Sequence, residues 1–397
     1  MALLLTLDIA SGQQPNRADP LPILPAEQAW LVVLASPTSA GGAMDDQRIY
    51  VPLQSEELTA LDRQTGQVLW VRGIESEWPP VVHDGVVYLA ASDELHALDA
   101  ATGTSIWRVP LPGTLAAALV FDTGWLFAVS APGEVVAFRA ADGQRLWNRS
   151  LGAAPRSPAV AGEDDAIYFT LANGRVVSLN LPDGSTRWEQ QLPGMLSEPS
   201  WAEERVFVGS TDNFFYALRA DTGALAWKWR SGGDVIGASA DDDLVFITSL
   251  DNIIRAVNRG NGNQRWRKDT GSRPVPPPLA FNGVAVVTGI SNTLTAFAAN
   301  TGLPAGTYVA PGDLQGPPLI DPVLKPYRVA AAVVLRDGRV AGLYPVAMLF
   351  RDQPLVPFTT PPGRAVPREQ SPIRRSQPST STVQPPTTNS LRPVRPD

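Results

Sequence analysis

A glycine that ends a polar turn recurs seven times along this chain, at intervals of 37 to 41 residues. The stretches ALDRQTGQVLW and ALDAATGTSIW, which begin at residues 60 and 97, show the pattern in full. The turn glycines are Gly66, Gly103, Gly143, Gly184, Gly223, Gly262 and Gly302. Four places after each of the first six stands a tryptophan, at Trp70, Trp107, Trp147, Trp188, Trp227 and Trp266. A period of this length indicates one repeated structural unit.

Each unit contains short apolar stretches separated by turns, which is typical of strands rather than helices. The unit at 197–229 contains, in order, the stretches SEPSWA, RVFVGS, FFYALR and ALAWKW. Four strands within one repeat predict one antiparallel sheet. Because a single small sheet cannot bury both faces, the sheets must stack on their neighbours. A radial stack gives an all-β fold, the β-propeller.

The recurring residues receive separate roles in this interpretation. The turn glycines provide the positive φ that a tight hairpin requires. The tryptophans fill the space between adjacent sheets, where truncation of a well-buried ring to Ala costs about 3–5 kcal/mol. The repeat is therefore interpreted as a packing device.

The number of sheets follows from the two ends of the repeat region. The seventh unit has Gly306 where a tryptophan is expected, and residues 333–343 align with 208–218 to indicate an eighth unit. The last strand of that unit is supplied from upstream, where Trp30 precedes the next strand by the usual interval. We therefore predict an eight-bladed propeller closed by an N-terminal strand. Seven blades, with 317–350 as a cap, is the alternative.

The predicted domain organisation has three parts, namely an N-terminal extension (1–27), the propeller (28–351) and a disordered tail (352–397) rich in Pro, Ser, Thr and Arg. The tail has too little apolar surface to offset the entropy of ordering. Residues 353–397 carry a net charge of +4, which leaves −11 for the rest of a chain of net charge −7. We hypothesise that the tail associates with acidic turns or an anionic surface.

Composition excludes several function classes. The negative net charge and the lack of a basic stripe argue against a nucleic-acid partner. The absence of cysteine excludes disulfides, thiolate metal sites and a lipid-bearing cysteine. No run approaches the roughly 18–20 apolar residues that a membrane-spanning helix needs. The first twenty residues have a short apolar run without a basic start, which predicts a poor export signal.

The motif A-L-D-x-x-T-G-x-x-x-W resembles the PQQ-enzyme repeat with its tryptophan-docking contacts. It is whole at 60–70 and 97–107, degraded in later units, and the resemblance covers roughly 28–350. In size and blade count the chain is most similar to the non-enzymatic BamB-like branch of that family. That resemblance implies a monomeric scaffold, without catalytic residues, metal or cofactor, that binds protein partners of outer-membrane assembly. It also implies the cell envelope or periplasm, with the cytoplasm as the alternative.

Two other functions remain open from the residues. The first is a PQQ-dependent dehydrogenase, although the chain has no cysteine and only His83 and His96, for which we expect structural roles. The second is a module that senses a ligand or polysaccharide. No nucleotide-binding, serine-hydrolase or zinc-protease fingerprint occurs in the sequence.

The candidate interaction residues are Trp78, Trp229 and Arg230, which lie outside or beside the repeat register in Arg- and aromatic-rich segments. Exposed aromatic and Arg side chains are the usual anchors for a protein partner. Acidic pairs and triplets fall between the first two strands of several units, which predicts one strongly negative face of the disc. They are Asp45-Asp46, Glu163-Asp164-Asp165, Glu203-Glu204 and Asp241-Asp242-Asp243.

Overall fold

The computed structural model describes residues 23–162, 165–241, 243–290, 292–321 and 328–346. Within these ranges the chain forms 32 strands in eight four-stranded antiparallel sheets. The prediction of an all-β, eight-bladed propeller is therefore confirmed, and the eighth sheet makes the seven-bladed alternative wrong. Most of the predicted N-terminal extension (1–22) and the whole predicted tail (352–397) lie outside the described residues.

Blades 1 to 7 are formed by four consecutive strands each. Blades 1 and 2 consist of β2 (Ala43–Met44), β3 (Arg48–Leu53), β4 (Glu57–Asp62), β5 (Val68–Arg72), β6 (Val81–His83), β7 (Val86–Ala91), β8 (Glu94–Asp99) and β9 (Ser105–Pro110). Blades 3 and 4 consist of β10 (Val120–Asp122), β11 (Trp125–Val129), β12 (Glu134–Arg139), β13 (Arg145–Ser150), β14 (Val160–Gly162), β15 (Ala166–Thr170), β16 (Arg175–Asn180) and β17 (Thr186–Gln191).

The second half of the ring follows the same order until the last blade. Blades 5 and 6 consist of β18 (Ser200–Ala202), β19 (Arg205–Gly209), β20 (Phe214–Arg219), β21 (Leu225–Arg230), β22 (Val235–Asp241), β23 (Leu244–Ser249), β24 (Ile253–Asn258) and β25 (Gln264–Asp269). Blades 7 and 8 consist of β26 (Leu279–Phe281), β27 (Val284–Thr288), β28 (Thr293–Ala298), β29 (Pro304–Val309), β30 (Leu319–Ile320), β31 (Ala331–Val334), β32 (Arg339–Pro345) and β1 (Ala26–Val33).

The hydrophobic core is divided into eight clusters of described residues, and each lies between two adjacent blades. The second and third strands of a blade are buried on both faces, as in β3, because each blade is covered by a neighbour on either side. The sequences of such strands are therefore continuous apolar runs and do not alternate between apolar and polar residues. The outermost strands keep one face exposed, as in β13 and β25.

The ring closes by pairing the two ends of the repeat region. Strand β1 pairs antiparallel with β32, and Trp30 lies opposite Gly342. The outermost strand of blade 8 therefore comes from the N-terminal side of the chain, as predicted. The closed ring leaves no gap between first and last blade, which removes two exposed sheet faces.

The indoles of seven outermost strands contact the following blade. Each indole Nε1 donates a hydrogen bond to a backbone carbonyl of that blade, with N···O distances of 2.7 to 3.1 Å. The pairs are Trp30 with Arg63, Trp70 with Ala100, Trp107 with Ala140, Trp147 with Leu181, Trp188 with Ala220, Trp227 with Arg259 and Trp266 with Ala299. A buried ring thereby also satisfies its one polar group.

The turn glycines also provide the surface on which the indoles pack, in addition to the positive φ of their turns. The indole of the preceding blade packs directly on each glycine, and a Cβ added at Gly103 would lie 2.7 Å from Cε3 of Trp70. Gly103 also has φ +68, so its turn and its neighbour both require glycine. The glycine and the tryptophan of one motif thus serve two different junctions. In each such blade the glycine contacts the indole of the preceding blade, and the indole contacts the glycine of the following blade.

The junction between blades 7 and 8 replaces the indole with main chain. Gly306 stands where the other outermost strands carry tryptophan, and a Cβ added there would overlap the backbone of Leu24 and Pro25. Ile23 and Leu24 are each 2% exposed and belong to the hydrophobic cluster of this junction. The segment that leads into β1 therefore fills the place of an indole, which accounts for the departure of the seventh unit from the motif.

A buried ion pair joins blades 8 and 1 beside the closing strand. The guanidinium of Arg63, only 2% exposed, donates a hydrogen bond of 2.7 Å from Nη2 to Oδ2 of Asp321. Its Nε and Nη1 donate to the carbonyl oxygens of Val329 and Asp45. At the matching position of blade 6, Arg259 reaches Glu203 of blade 5, but that carboxylate is 68% exposed.

Replacing Gly103 with Ala tests the contact between indole and glycine. We expect Gly103→Ala to lower the free energy of unfolding by about 1–3 kcal/mol more than Gly85→Ala, because only the first substitution overpacks an indole. Gly85 is a matched control, since its φ of +75 is similar and an added Cβ meets no atom within 4 Å. Chemical denaturation of both variants measures the difference. Equal losses would contradict the packing role.

Removing Arg63 tests the ion pair at the closure. We expect Arg63→Ala to lower the free energy of unfolding by about 3–5 kcal/mol, because it withdraws the cation from a buried carboxylate. Arg259→Ala is the matched control and should cost less than about 1 kcal/mol, because its partner Glu203 is largely solvated. Both substitutions keep the carbonyl that accepts the indole hydrogen bond. A loss of similar size in both variants would show that the burial of Arg63 is unimportant.

Candidate partner-binding surfaces

The two histidines lie on blade 2, and each has a local structural contact. His83 stacks on Phe121 of blade 3, with ring centroids 4.2 Å apart, and its Nε2 lies 3.3 Å from Asp84 Oδ2. His96 Nε2 lies 3.5 Å from Glu94 Oε2, and burial lowers the pKa of His96. Among the described residues, no three His, Asp or Glu side chains are grouped so that they could hold a metal ion.

A cavity of about 420 Å³ lies on the axis of the ring. Its lining comes from the first strands of blades 1, 6, 7 and 8 and includes Met44, Leu279, Phe281 and Leu319. First strands of four blades meet only around the axis, which fixes its place. The described lining offers the hydroxyl of Ser239 but no carboxylate. These residues do not fit the Ca²⁺ that accompanies the quinone in quinoprotein dehydrogenases, because Ca²⁺ requires several oxygen ligands.

The acidic turns are partly engaged in local structure. Asp45 Oδ1 accepts hydrogen bonds of 2.7 Å from the amides of Gln47 and Arg48, and its Oδ2 accepts one of 2.6 Å from Tyr50 OH. Burial and this carboxylate raise the pKa of the Tyr50 hydroxyl. Residues 163, 164 and 242 of the predicted acidic face lie outside the described part of the chain.

Trp78 lies in the loop that joins blades 1 and 2. Its half-buried ring packs against the hydrophobic cluster between blades 2 and 3. It also lines a cavity of about 400 Å³ together with Glu75, Glu77 and Asp93. Trp78 therefore combines a packing contact with a place in the lining of a cavity that three acidic residues also line.

Trp229, on β21 of blade 5, is held in place by blade 6. The guanidinium of Arg255 on β24 lies over its ring, 5.2 Å from the centroid. Arg255 is 5% exposed, pairs with Asp251 and donates a hydrogen bond of 2.8 Å to Ser249 Oγ. Burial acts to raise the pKa of Asp251, but the hydrogen bonds from Arg255 and Ser249 lower it overall. Trp229 thus forms a second link between the two blades.

Arg230 lies at the end of the same strand and is exposed. It belongs to a group of five cations on two consecutive outermost strands, which we call the basic edge. Its members are Lys228 and Arg230 on β21 and Arg265, Arg267 and Lys268 on β25. No ion pair joins any of the five to another described residue, and Lys228 lies over the ring of Phe214 at 4.8 Å. Sequence reasoning selected only Arg230, although cations directly follow the repeat tryptophan on both strands.

The outermost strands of blades 7, 8 and 1 have a different surface chemistry. They expose aliphatic side chains, of which Val33 is 70% and Val309 is 65% exposed. Leu31, Val68 and Leu69 are also exposed. The rim of the disc therefore has an aliphatic sector on these blades and a basic sector on blades 5 and 6. Among the residues that the structure describes, there is no helix long and apolar enough to cross a membrane.

Comparison with known families agrees with this architecture. The family model described as outer membrane protein assembly factor BamB matches residues 54–198 and 192–302. The chain therefore belongs to this family. The matched ranges run from just before the third strand of blade 1 to the turn glycine of blade 7.

Individual members of the family are distant relatives. BamB of Shewanella oneidensis is 26% identical over 207 residues, 47% of this chain and 51% of the relative. BamB of Moranella endobia is 22% identical over 216 residues, 49% of this chain and 55% of the relative. The chain thus spans about half the length of the curated relatives it matches. The crystal structure of BamB from Moraxella catarrhalis has a TM-score of 0.63 at 16% identity, covering 80% of this chain and 97% of that chain, and shows a shared fold.

The pKa of Asp251 gives a pH-dependent prediction. We expect Asp251→Asn to lower the free energy of unfolding at neutral pH by about 1.5–3 kcal/mol, because a neutral amide replaces the carboxylate that pairs with the buried Arg255. A lowered pKa contributes stability above the ordinary value of 3.8, and that stability is lost as pH falls through the folded value. The gap between wild type and variant should therefore shrink below pH 3.8. Denaturation at several pH values measures it, and a gap independent of pH would contradict the assignment.

Proposed function

We propose that this protein is a non-catalytic binding scaffold of the cell envelope that holds protein partners during outer-membrane protein assembly. The observation that carries the proposal is the family match over the blades, together with their regular docking into one ring. The same relationship supports the envelope location, since the relatives of Moranella endobia and Shewanella oneidensis are named for outer-membrane assembly. We propose a monomer, because the ring closes within one chain.

The geometry supports a scaffold in two respects. Indole and glycine join seven of the eight junctions, and main chain fills the eighth, so the described blades form a rigid frame. Side chains on such a frame lose little entropy when a partner binds. The rim also presents chemically distinct sectors, basic on β21 and β25 and aliphatic on β1, β5 and β29. Distinct sectors allow one disc to orient a partner.

Deletion of the gene in its own bacterium tests the role in assembly. We expect lower amounts of folded outer-membrane β-barrel proteins, because their assembly loses a scaffold, and recovery when the wild-type gene is returned. Quantitative proteomics of outer membranes and the heat-modified mobility of the barrels measure both. As a control, an Arg259→Ala gene should restore the barrels fully. Unchanged levels of folded barrel proteins in the deletion strain would contradict a role in assembly.

The non-catalytic part of the proposal has its own assay. We expect the purified protein, incubated with pyrroloquinoline quinone and Ca²⁺, to reduce no dye with alcohols or sugars, because the eight residues that line the 420 Å³ cavity include no carboxylate. A quinoprotein dehydrogenase run in parallel is the positive control. Dye reduction by this chain would show that it is an enzyme and would contradict the non-catalytic part of the proposal.

A further inference from the structure

The outermost strand of blade 5 has one free backbone edge. Strand β21 (Leu225–Arg230) pairs with β20 on its inner side and stands last in its sheet. Strand β25 has the same position in blade 6. The outer N–H and C=O groups of such strands are able to pair with an added strand.

The two cations of β21 follow the two-residue period of the strand. Lys228 and Arg230 are two residues apart on β21, and Arg265 and Arg267 are two residues apart on β25. Alternate residues of a strand project from the same face. Strand β21 therefore presents a pair of positive charges on one face, at the spacing of alternate side chains on a pairing strand. On β25 a register shift at Arg265 interrupts this alternation.

Trp229 gives β21 a fixed conformation between its two cations. Its ring lies under Arg255, which Asp251 and Ser249 hold from the next blade. The strand is thus anchored to blade 6 on one face and solvated on the other. An anchored strand loses little freedom when a segment pairs with its edge.

Cations also occur on the outermost strands of blades 2 and 3, where Arg108 and Arg145 lie 3.6 and 3.5 Å from Glu94 and Glu134, whereas the five cations of the basic edge have no such partner among the described residues. At the positions that match Lys228 and Arg230, blade 8 carries Leu31 and Val33 next to Trp30. The chain as a whole has a net charge of −7. A cluster of unpaired cations in an acidic protein favours a negatively charged partner.

We propose that the basic edge binds an extended, acidic segment of a protein partner, which adds as a fifth strand to β21 with carboxylates opposite Lys228 and Arg230. The cations of β25 draw the segment in through longer-range attraction. The inference rests on the proposed scaffold function only in naming a protein as partner.

The surroundings favour a peptide strand over an anionic membrane. Carboxylates flank the cations, with Asp269 on β25, Asp221 in the turn before β21 and Glu189 on the neighbouring β17. A flat anionic membrane would contact these carboxylates together with the cations and would be repelled by them. A strand that pairs with β21 contacts only the edge of that strand.

Fluorescence anisotropy with labelled peptides tests the proposal. The probes are an alternating Glu-Val peptide, an alternating Lys-Val peptide, and the Glu-Val peptide with methyl groups on alternate backbone nitrogens. We expect the first to bind, with weaker binding at high salt, because salt screens exposed charges. The second should not bind. The third should bind at least about tenfold more weakly, because strand pairing requires backbone donors.

Matched variants of the protein locate the site. We expect Lys228→Gln with Arg230→Gln to weaken binding of the Glu-Val peptide about tenfold, since two cross-strand ion pairs are lost. Leu31→Glu with Val33→Glu changes the net charge by the same amount at the matching positions of blade 8. That control should bind the peptide almost as the wild type does. Near-ultraviolet circular dichroism verifies that both variants are folded.

Three results would overturn the proposal. They are unchanged affinity of the backbone-methylated peptide, equal losses in both double variants, and binding of phosphatidylglycerol vesicles through Lys228 and Arg230 without binding of the peptide. The peptide assay tests the strand-addition site and the gene deletion tests the assembly role, so a negative result in one leaves the other unaffected. Peptide binding with normal barrel levels would remove the assembly role and keep the strand-addition site, whereas the reverse result would remove only the site.

Discussion

The contact between an indole and a glycine of the next blade is the interaction on which the whole disc depends. It combines apolar burial with a hydrogen bond from Nε1, so a large ring is buried without an unsatisfied donor. It also sets how closely successive blades approach, because the ring rests on a position that has no side chain. Repeating this contact around the axis produces a constant angle between blades, and a constant angle closes a ring.

The sequence period predicts the number, order and closure of the blades because each blade repeats one local pattern. Trp30 could be assigned to blade 8 by its interval alone, and the structure places it opposite Gly342. The partner of each tryptophan could not be predicted in this way. Trp70 and Gly103 belong to successive units, and their contact appears only when the blades are stacked. The replacement of an indole by Leu24 and Pro25 has no motif that would reveal it.

The surface was less predictable than the core for a physical reason. Burial is periodic, whereas exposed side chains are constrained by little besides solubility. Trp229 was selected as a candidate anchor, and its ring proves to lie under Arg255, a buried cation from the middle of another blade. Arg230 was selected as a single residue, and the structure adds the cations of β25 to it. Grouping such residues requires knowing which strands are outermost.

The pairing of β1 with β32 has a consequence for how the protein matures. Trp30 and Gly342 are among the most widely separated partners in the described chain, so the pairing of β1 with β32 closes a very long loop and is expected to form late. Blades 1 to 7 consist of consecutive strands and are able to form while β1 still has an open edge and an uncovered indole. The folding protein is therefore expected to pass through a stage in which blade 8 is incomplete and β1 is available to other chains. Chaperones that shield extended apolar segments would act at this stage.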